Sequence, residues 1–249
     1  MCAAFSPEED SLFEKTGVAV LKRLRKTRNP ADLLAAVASA HKEFERAFAS
    51  AAPEAKAVVA CRAGCDACCH VPVGVQAHEV LIAAAHVQTH FSPTQLDELI
   101  ARTAVHRAAF LGRSNVERTA LKTPCALLAE GSCSIYAARP EACRSHHSHN
   151  AESCRTNLQN GNEELGVYIP GVRGRMFAVM LAIDQAVVEA GFDGQAYDFG
   201  SALHEALTSS LCAVRWVQRQ SAFPDACREA SEADDEEDSG VLHPEGYFR

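Results

Sequence analysis

Seven of the chain's 11 cysteines crowd into two short segments. The first, CRAGCDACCH, spaces its thiols as C-x3-C-x2-C-C at Cys61, Cys65, Cys68 and Cys69. The second runs from Pro124 to His149 and carries Cys125, Cys133 and Cys143, with Cys154 just beyond. In a reducing compartment disulfides rarely persist, so clustered cysteines point to metal binding or redox chemistry. Gaps of two or three residues let a tight turn aim two sulfurs at one ion about 2.3 Å away. Gly64 permits the positive φ that such a turn often needs. Neither segment alone offers a well-spaced tetrahedral set, so both are expected to close on one site. Such a site would tie distant parts of the chain together.

Reduced cysteine also packs as a small hydrophobe. Cys2, Cys212 and Cys227 stand alone and read as structural or incidental. Cys68 and Cys69 are adjacent, and neighbouring side chains diverge, so one of the two serves any given ion.

The rest of the chain is helical in pattern. Ser6-Pro7-Glu8-Glu9 and Ser92-Pro93-Thr94-Gln95 are capping boxes with proline in the first turn. After the first, Phe13, Gly17, Val20, Leu21 and Leu24 share a face; a second helix from Pro30 carries Leu33, Val37, Ala40, Phe44 and Phe48 in one stripe. A short extended piece, Val71 to Val75, leads into a third helix with Val80, Ala84, Val87 and Phe91, and Leu96, Leu99 and Ile100 follow on a fourth. Residues 112–124 read as polar linker and 157–174 as loop. A fifth helix carries Met176, Met180, Ile183 and Val187 and stops at Gly191; a sixth carries Leu203, Leu207, Leu211 and Val214. Strands do not alternate with helices, which argues against Rossmann and barrel folds. The expected fold is mainly α: an irregular helical domain organised around a cysteine-rich metal site, with little or no β-sheet. Residues 1–55 read as an N-terminal helical extension, 56–225 as the metal-binding domain and 226–249 as an acidic, disordered tail.

Charge and hydropathy narrow the function. Seven acids between Glu229 and Ser239 account for nearly all of the net charge of −8. The remainder is close to neutral and lacks the basic excess that binding phosphate backbones demands, so no nucleic-acid partner is expected. No apolar run approaches the ~18 residues of a membrane span, and the N-terminus lacks a basic stretch followed by an apolar one. The expectation is a cytoplasmic chain with no membrane partner.

Around the thiols, His70, His146, His147 and His149 are further candidate ligands. Glu79 suits a helix cap, Arg139 suits neutralising thiolate charge or pairing with a carboxylate such as Glu79, and Tyr136 suits the core. His86, His90 and His106 read as helix-surface residues. The spacing Cys61-x3-Cys65-x2-Cys68 also occurs in radical enzymes that cleave S-adenosylmethionine, but Ala67 stands where those commonly place an aromatic, and a β/α barrel pattern is lacking.

Taken together, Cys61, Gly64, Cys65, Cys68 and Cys69, then Pro124-Cys125, then Gly131, Cys133, Ile135, Tyr136, Arg139, Pro140, Cys143 and Arg144 resemble the YkgJ or CxxCxxCC family of zinc- or iron-chelating domains. The resemblance spans about residues 61–145. It implies a metal centre built from Cys61, Cys65, Cys68, Cys69, Cys125, Cys133 and Cys143, holding zinc or iron, the iron as an ion or a 4Fe-4S cluster. The family includes flagellin lysine methylases, so it also implies an alternative, an iron–sulfur enzyme such as a protein lysine methyltransferase or an electron-transfer component. A thiol redox sensor is a third class open to paired cysteines.

Overall fold

The structure is a computed structural model and describes residues 5–160 and 168–229. Cys2 and most of the acidic tail lie outside the described residues, as does part of the 157–174 segment.

Capping chemistry sets the helix starts. Ser6 Oγ accepts the Glu9 N–H at 3.4 Å, and Glu9 accepts the Ser6 N–H at 2.8 Å; α1 (Pro7–Leu24) follows. Asn29 accepts the Asp32 N–H at 2.9 Å and opens α2 (Pro30–Ala40). The stripe read as one helix from Pro30 to Phe48 is two, because the chain breaks at His41 before α3 (Lys42–Ser50). The break turns a polar side chain inward: His41 is buried. A short α4 (Pro53–Ala57) precedes the first cysteine segment.

Beyond it, β1 (Gly74–Val75) leads into α5 (Ala77–His90), and α6 (Pro93–Phe110) starts at the reciprocal Ser92 and Gln95 bonds. The segment expected to be polar linker folds into α7 (Asn115–Leu121). Ser114 and Glu117 form a third capping box there, which the sparse apolar pattern concealed. The second cysteine segment contains β2 (Leu128–Ala129), β3 (Ser132–Cys133) and α8 (Glu141–Ser145). The helix α9 (Ala151–Asn160) reaches into the stretch expected to be loop. After α10 (Pro170–Glu189), Gly191 takes φ +78° and turns the chain. Last come β4 (Tyr197–Asp198), α11 (Phe199–Thr208) and α12 (Cys212–Val217). The expected sixth helix is thus also two, with Leu211 exposed at the break.

The architecture is mainly α, with two short antiparallel pairs, β1 with β4 and β2 with β3. Two helices form its centre. α10 buries Val172, Met176, Val179, Ala182, Ile183, Ala186 and Val187, and α1, α3 and α8 pack against it. α5 is buried along an unbroken run from Ala77 to Ala84, and α2, α11 and α12 pack against it. Such all-round burial explains why α5 lacks a clean amphipathic stripe. Among the described residues no helix is long and apolar enough to cross a membrane.

Pairing β1 with β4 sets Gly74 opposite Asp198. Asp198 then caps α11 by accepting the Ser201 N–H at 2.8 Å, with His106 Nε2 at 3.4 Å. His106 is therefore buried, not on the helix surface as its position suggested, and it fills the space above Gly200 that a Cβ would need. Burial pushes the Asp198 carboxyl up, but His106 and the Ser201 bonds outweigh it and hold the group below its usual 3.8. Its stabilisation is present above the unfolded value and fades as pH falls through the depressed one. Asp198→Ala should cost about 1–2 kcal/mol at neutral pH, a deficit that shrinks in acid. Urea denaturation at both pH values measures it.

Candidate metal centre

The first cysteine segment is a pair of tight turns. Gly64 adopts φ +85°, and the Cys65 N–H donates to Arg62 O at 3.1 Å. A 3₁₀ turn, Ala67–His70, follows, with the Cys69 N–H on Asp66 O at 2.8 Å. The second segment docks onto it through the backbone: the Cys125 N–H donates to Cys69 O at 2.7 Å. Cys133 is then placed by the β2–β3 hairpin, where it faces Leu128. Its two-residue turn has φ +50° at Glu130 and +72° at Gly131, the primed turn whose twist suits paired strands. Arg144 donates to Arg139 O at 2.9 Å and to Ala137 O, which holds the turn leading into α8 and Cys143. A further join closes the segments from the other side. The Ala60 N–H donates to Ser148 O at 2.8 Å, and the Ser148 N–H donates to Cys61 Sγ at 3.1 Å.

Four thiols sense one another. The Cys68 thiol is raised by a hydrogen bond with Cys69 and by burial. Burial pushes Cys143 well up, and Cys68, Cys125, Glu79 and Cys133 add to it. Burial lifts Cys125 to about 11, with Cys133, Asp198 and Cys68 contributing. Cys133 is raised by burial and by Cys68, partly offset by the Ile135 N–H and by Arg139. Every pair among Cys68, Cys125, Cys133 and Cys143 is thus within electrostatic reach. Cys61 sits at the edge, raised by burial, then by Cys65, Cys68 and Cys154. Without a cation these neighbours oppose each other's ionisation; a bound ion reverses that balance and deprotonates coordinating thiols. Around an ion at 2.3 Å tetrahedral sulfurs stand about 3.8 Å apart. Among the described residues no three thiols are drawn within 4.8 Å of one another.

The other candidates fall into place around them. His70 Nδ1 lies 3.1 Å from Asp66 O, His147 stacks on Phe48 at 4.9 Å, His146 meets the edge of Tyr168, and His149 is exposed. Tyr136 is exposed, not core, and the Arg139 guanidinium lies over its ring at 3.9 Å. Arg139 does not pair with Glu79; its charge lowers Cys68 and Cys133.

Residues 60–163 match the family model CxxCxxCC, described as a "putative zinc- or iron-chelating domain". This region of the chain is similar to the CxxCxxCC family's domain. No curated protein and no solved structure matches the chain.

Beside the thiols of the matched region lies a second polar group that the cysteine pattern did not announce. Glu141, two residues before Cys143 on α8, places Oε1 2.9 Å from His41 Nε2 and 3.0 Å from His78 Nε2. All three side chains are buried. Glu79 accepts the Gln76 N–H at 2.7 Å, as expected of a cap on α5, and with its other oxygen the Glu141 N–H at 2.6 Å. It therefore joins the start of α5 to the start of α8. Burial pulls His78 down, but Glu141, Glu79 and Asp184 outweigh that and raise it to about 9. Burial pushes Glu141 up, yet the two imidazoles prevail and hold it at about 2. His41 shares the same oxygen but is lowered, since its burial and the charges of Arg144 and His78 exceed what Glu141 returns. The sequence signal for this group is thin. His78-Glu79 opens a helix that is apolar throughout, while His41 and Asp184 come from outside the cysteine segments.

Proposed function

We propose that the chain holds zinc or iron through the thiolates of its two cysteine segments, with Cys68, Cys125, Cys133 and Cys143 at the centre and Cys61, Cys65 and Cys69 at the edge. The observation that supports this reading is the docking of the two cysteine segments on each other, with the Cys125 N–H on Cys69 O at 2.7 Å and the Ser148 N–H on Cys61 Sγ at 3.1 Å. The zinc- or iron-chelating description of the matched domain agrees with it. Thiolates suit both metals. In a filled site Arg139 offsets part of the negative charge that the sulfurs bring, while the Cys69–Cys125 backbone bond and the hairpin hold the donors in place. Free thiols in such number suit a reducing compartment such as the cytoplasm. A redox sensor is the weaker reading, because reactive thiols have depressed pKa values and burial pushes Cys61, Cys68, Cys125, Cys133 and Cys143 upward.

The second reading is an iron–sulfur centre on the same thiols. The cavity beside Cys125, walled by Val71, Val73, Leu203 and the buried His106–Asp198 pair, has room for about one water molecule. Anaerobic purification with metal and sulfide analysis separates the two. A cluster makes the protein brown, with broad absorption near ~400 nm and iron and sulfide in comparable amounts. Zinc leaves it colourless and stays bound in air. A colourless protein with tightly held zinc and no sulfide removes the iron–sulfur reading. Protein that arrives without metal, and takes up neither zinc nor iron after reduction, overturns both.

A further inference from the structure

Two imidazole nitrogens and a carboxylate oxygen converge inside the protein at His41, His78 and Glu141, and the candidate ligand atoms all lie within 4.8 Å of one another. Among the described residues this is the only such group. Its hydrogen bonding is incomplete in a place where incompleteness is expensive. His78 Nδ1, Glu141 Oε2 and Asp184 Oδ1 are buried, and none has a hydrogen-bond partner. A buried polar atom left unpaired costs about 1–3 kcal/mol, and more if charged, so three around one cluster call for a ligand that satisfies them. The acidic neighbours Glu79 and Asp184 both act on His78. The group is buried and holds the carboxyls of Glu141, Glu79 and Asp184 against the nearby charge of Arg144.

A cation suits the convergent Nε2 and Oε1 atoms, and Glu141 Oε2, which lacks a partner, is a second lone-pair oxygen on the same carboxylate. Nitrogen and oxygen donors in a two-histidine, one-carboxylate set suit a divalent first-row ion and lack the sulfur that the thiol centre offers. Around such an ion, with bonds of about 2.0–2.2 Å, adjacent donors stand roughly 3.3 Å apart. The observed N···O separations of 2.9 and 3.0 Å need to open by only a few tenths of an ångström. On binding, the protons on the two Nε2 atoms leave to solvent and the freed lone pairs go to the metal. Glu79 positions Glu141 by holding its N–H, and Asp184 on α10 acts on His78 electrostatically.

We propose that His41, His78 and Glu141 form a second metal site, for a divalent transition ion of the zinc or ferrous type, distinct from the thiolate centre. The site spans more of the chain than the cysteines do. His41 lies ahead of residues 60–163, at the break between α2 and α3, so the ion would clamp that N-terminal segment to α5 and α8. It stands apart from the thiolate reading, because its donors and spectroscopic signature differ.

The test is a titration of full-length, chelator-stripped, reduced protein with Co²⁺. Cobalt on thiolates shows sulfur-to-metal charge-transfer absorption; cobalt on nitrogen and oxygen shows only weaker ligand-field bands. The expected result is an additional equivalent that binds without adding charge-transfer intensity. His78→Gln and Glu141→Gln should each remove that equivalent and leave the charge-transfer bands unchanged. Cys65→Ser, at the edge of the thiol group, should alter the bands and spare the equivalent, so failure of the thiolate reading would be visible separately. Full stoichiometry in both glutamine variants, or wild-type cobalt bound only with charge-transfer character, overturns the proposal. Should the variants fail to fold, X-ray absorption on wild-type protein loaded with excess zinc decides. Added nitrogen and oxygen scattering supports the site, and failure to take up more zinc than the thiols hold overturns it.

Discussion

Serine at Cys125 or Cys143 should release the metal of the cysteine centre and cost most of the stability of the fold. A structural zinc site contributes on the order of 10 kcal/mol, comparable to the whole ~5–15 kcal/mol of an ordinary domain. Both residues belong to the central four thiols, and each also sits at a structural joint. Cys125 carries the backbone bond to Cys69, and Cys143 lies on α8, which packs against α10. Loss of one central donor should therefore appear twice, as missing metal and as a sharp fall in melting temperature. Cys65→Ser should do less, because Cys65 acts on Cys61 at the edge of the group. Serine at Cys212 or Cys227 should do least. Both are buried, and each thiol makes one weak bond to a carbonyl, Glu205 O at 3.7 Å and Ser201 O at 3.6 Å, that a hydroxyl can replace. Metal analysis and thermal melts of the five single variants measure this ranking. Equal losses at Cys125, Cys143, Cys212 and Cys227 would show that the thiols pack and do not bind.

Helix starts were legible wherever a cap and a stripe coincided, as at Ser6, Asn29 and Ser92. Breaks inside stripes were not. Phe44 and Phe48 continue the spacing of Leu33, Val37 and Ala40, so periodicity alone runs through His41. At the break His41 turns to the distant carboxylate of Glu141, a tertiary partner that local pattern cannot contain. The break at Ser209–Leu211 is similar, since Leu211 keeps the spacing of Leu203 and Leu207 but points to solvent. The opposite error occurred at α7, where a capping box formed without an apolar face to announce it.

At the site, the segments carrying the thiols could be read because short cysteine spacing has few other uses in a reduced protein. Gly64 and Gly131 do adopt the positive φ that tight turns require. His106 and Tyr136 were misplaced for one reason. A single aromatic or histidine carries no sign of which way it faces, and here Asp198 draws His106 in while Arg139 covers Tyr136 from outside. The His41–His78–Glu141 group was invisible because its members come from three separated segments, each polar residue looking ordinary among its neighbours.

That group should also prove indispensable to folding. Glu141→Ala should destabilise the protein by about 3–5 kcal/mol, the usual consequence of breaking a buried ion pair by removing one partner. The reason is asymmetry: the truncated side chain leaves the His41 and His78 Nε2 atoms facing the same empty acceptor position, and His78 is fully buried beside Trp216. Glu141→Gln should cost less, because its carbonyl oxygen can still accept from an imidazole. Paired substitutions sharpen the point. Once Glu141 is alanine, adding His78→Ala should cost much less than it does in the wild type, since the interaction it removes is already gone. Denaturant midpoints of the single and double variants, compared at equal content of thiol-bound metal, provide the cycle. Strict additivity would mean that the histidines and the carboxylate stabilise the fold independently, and would rule out a shared buried network.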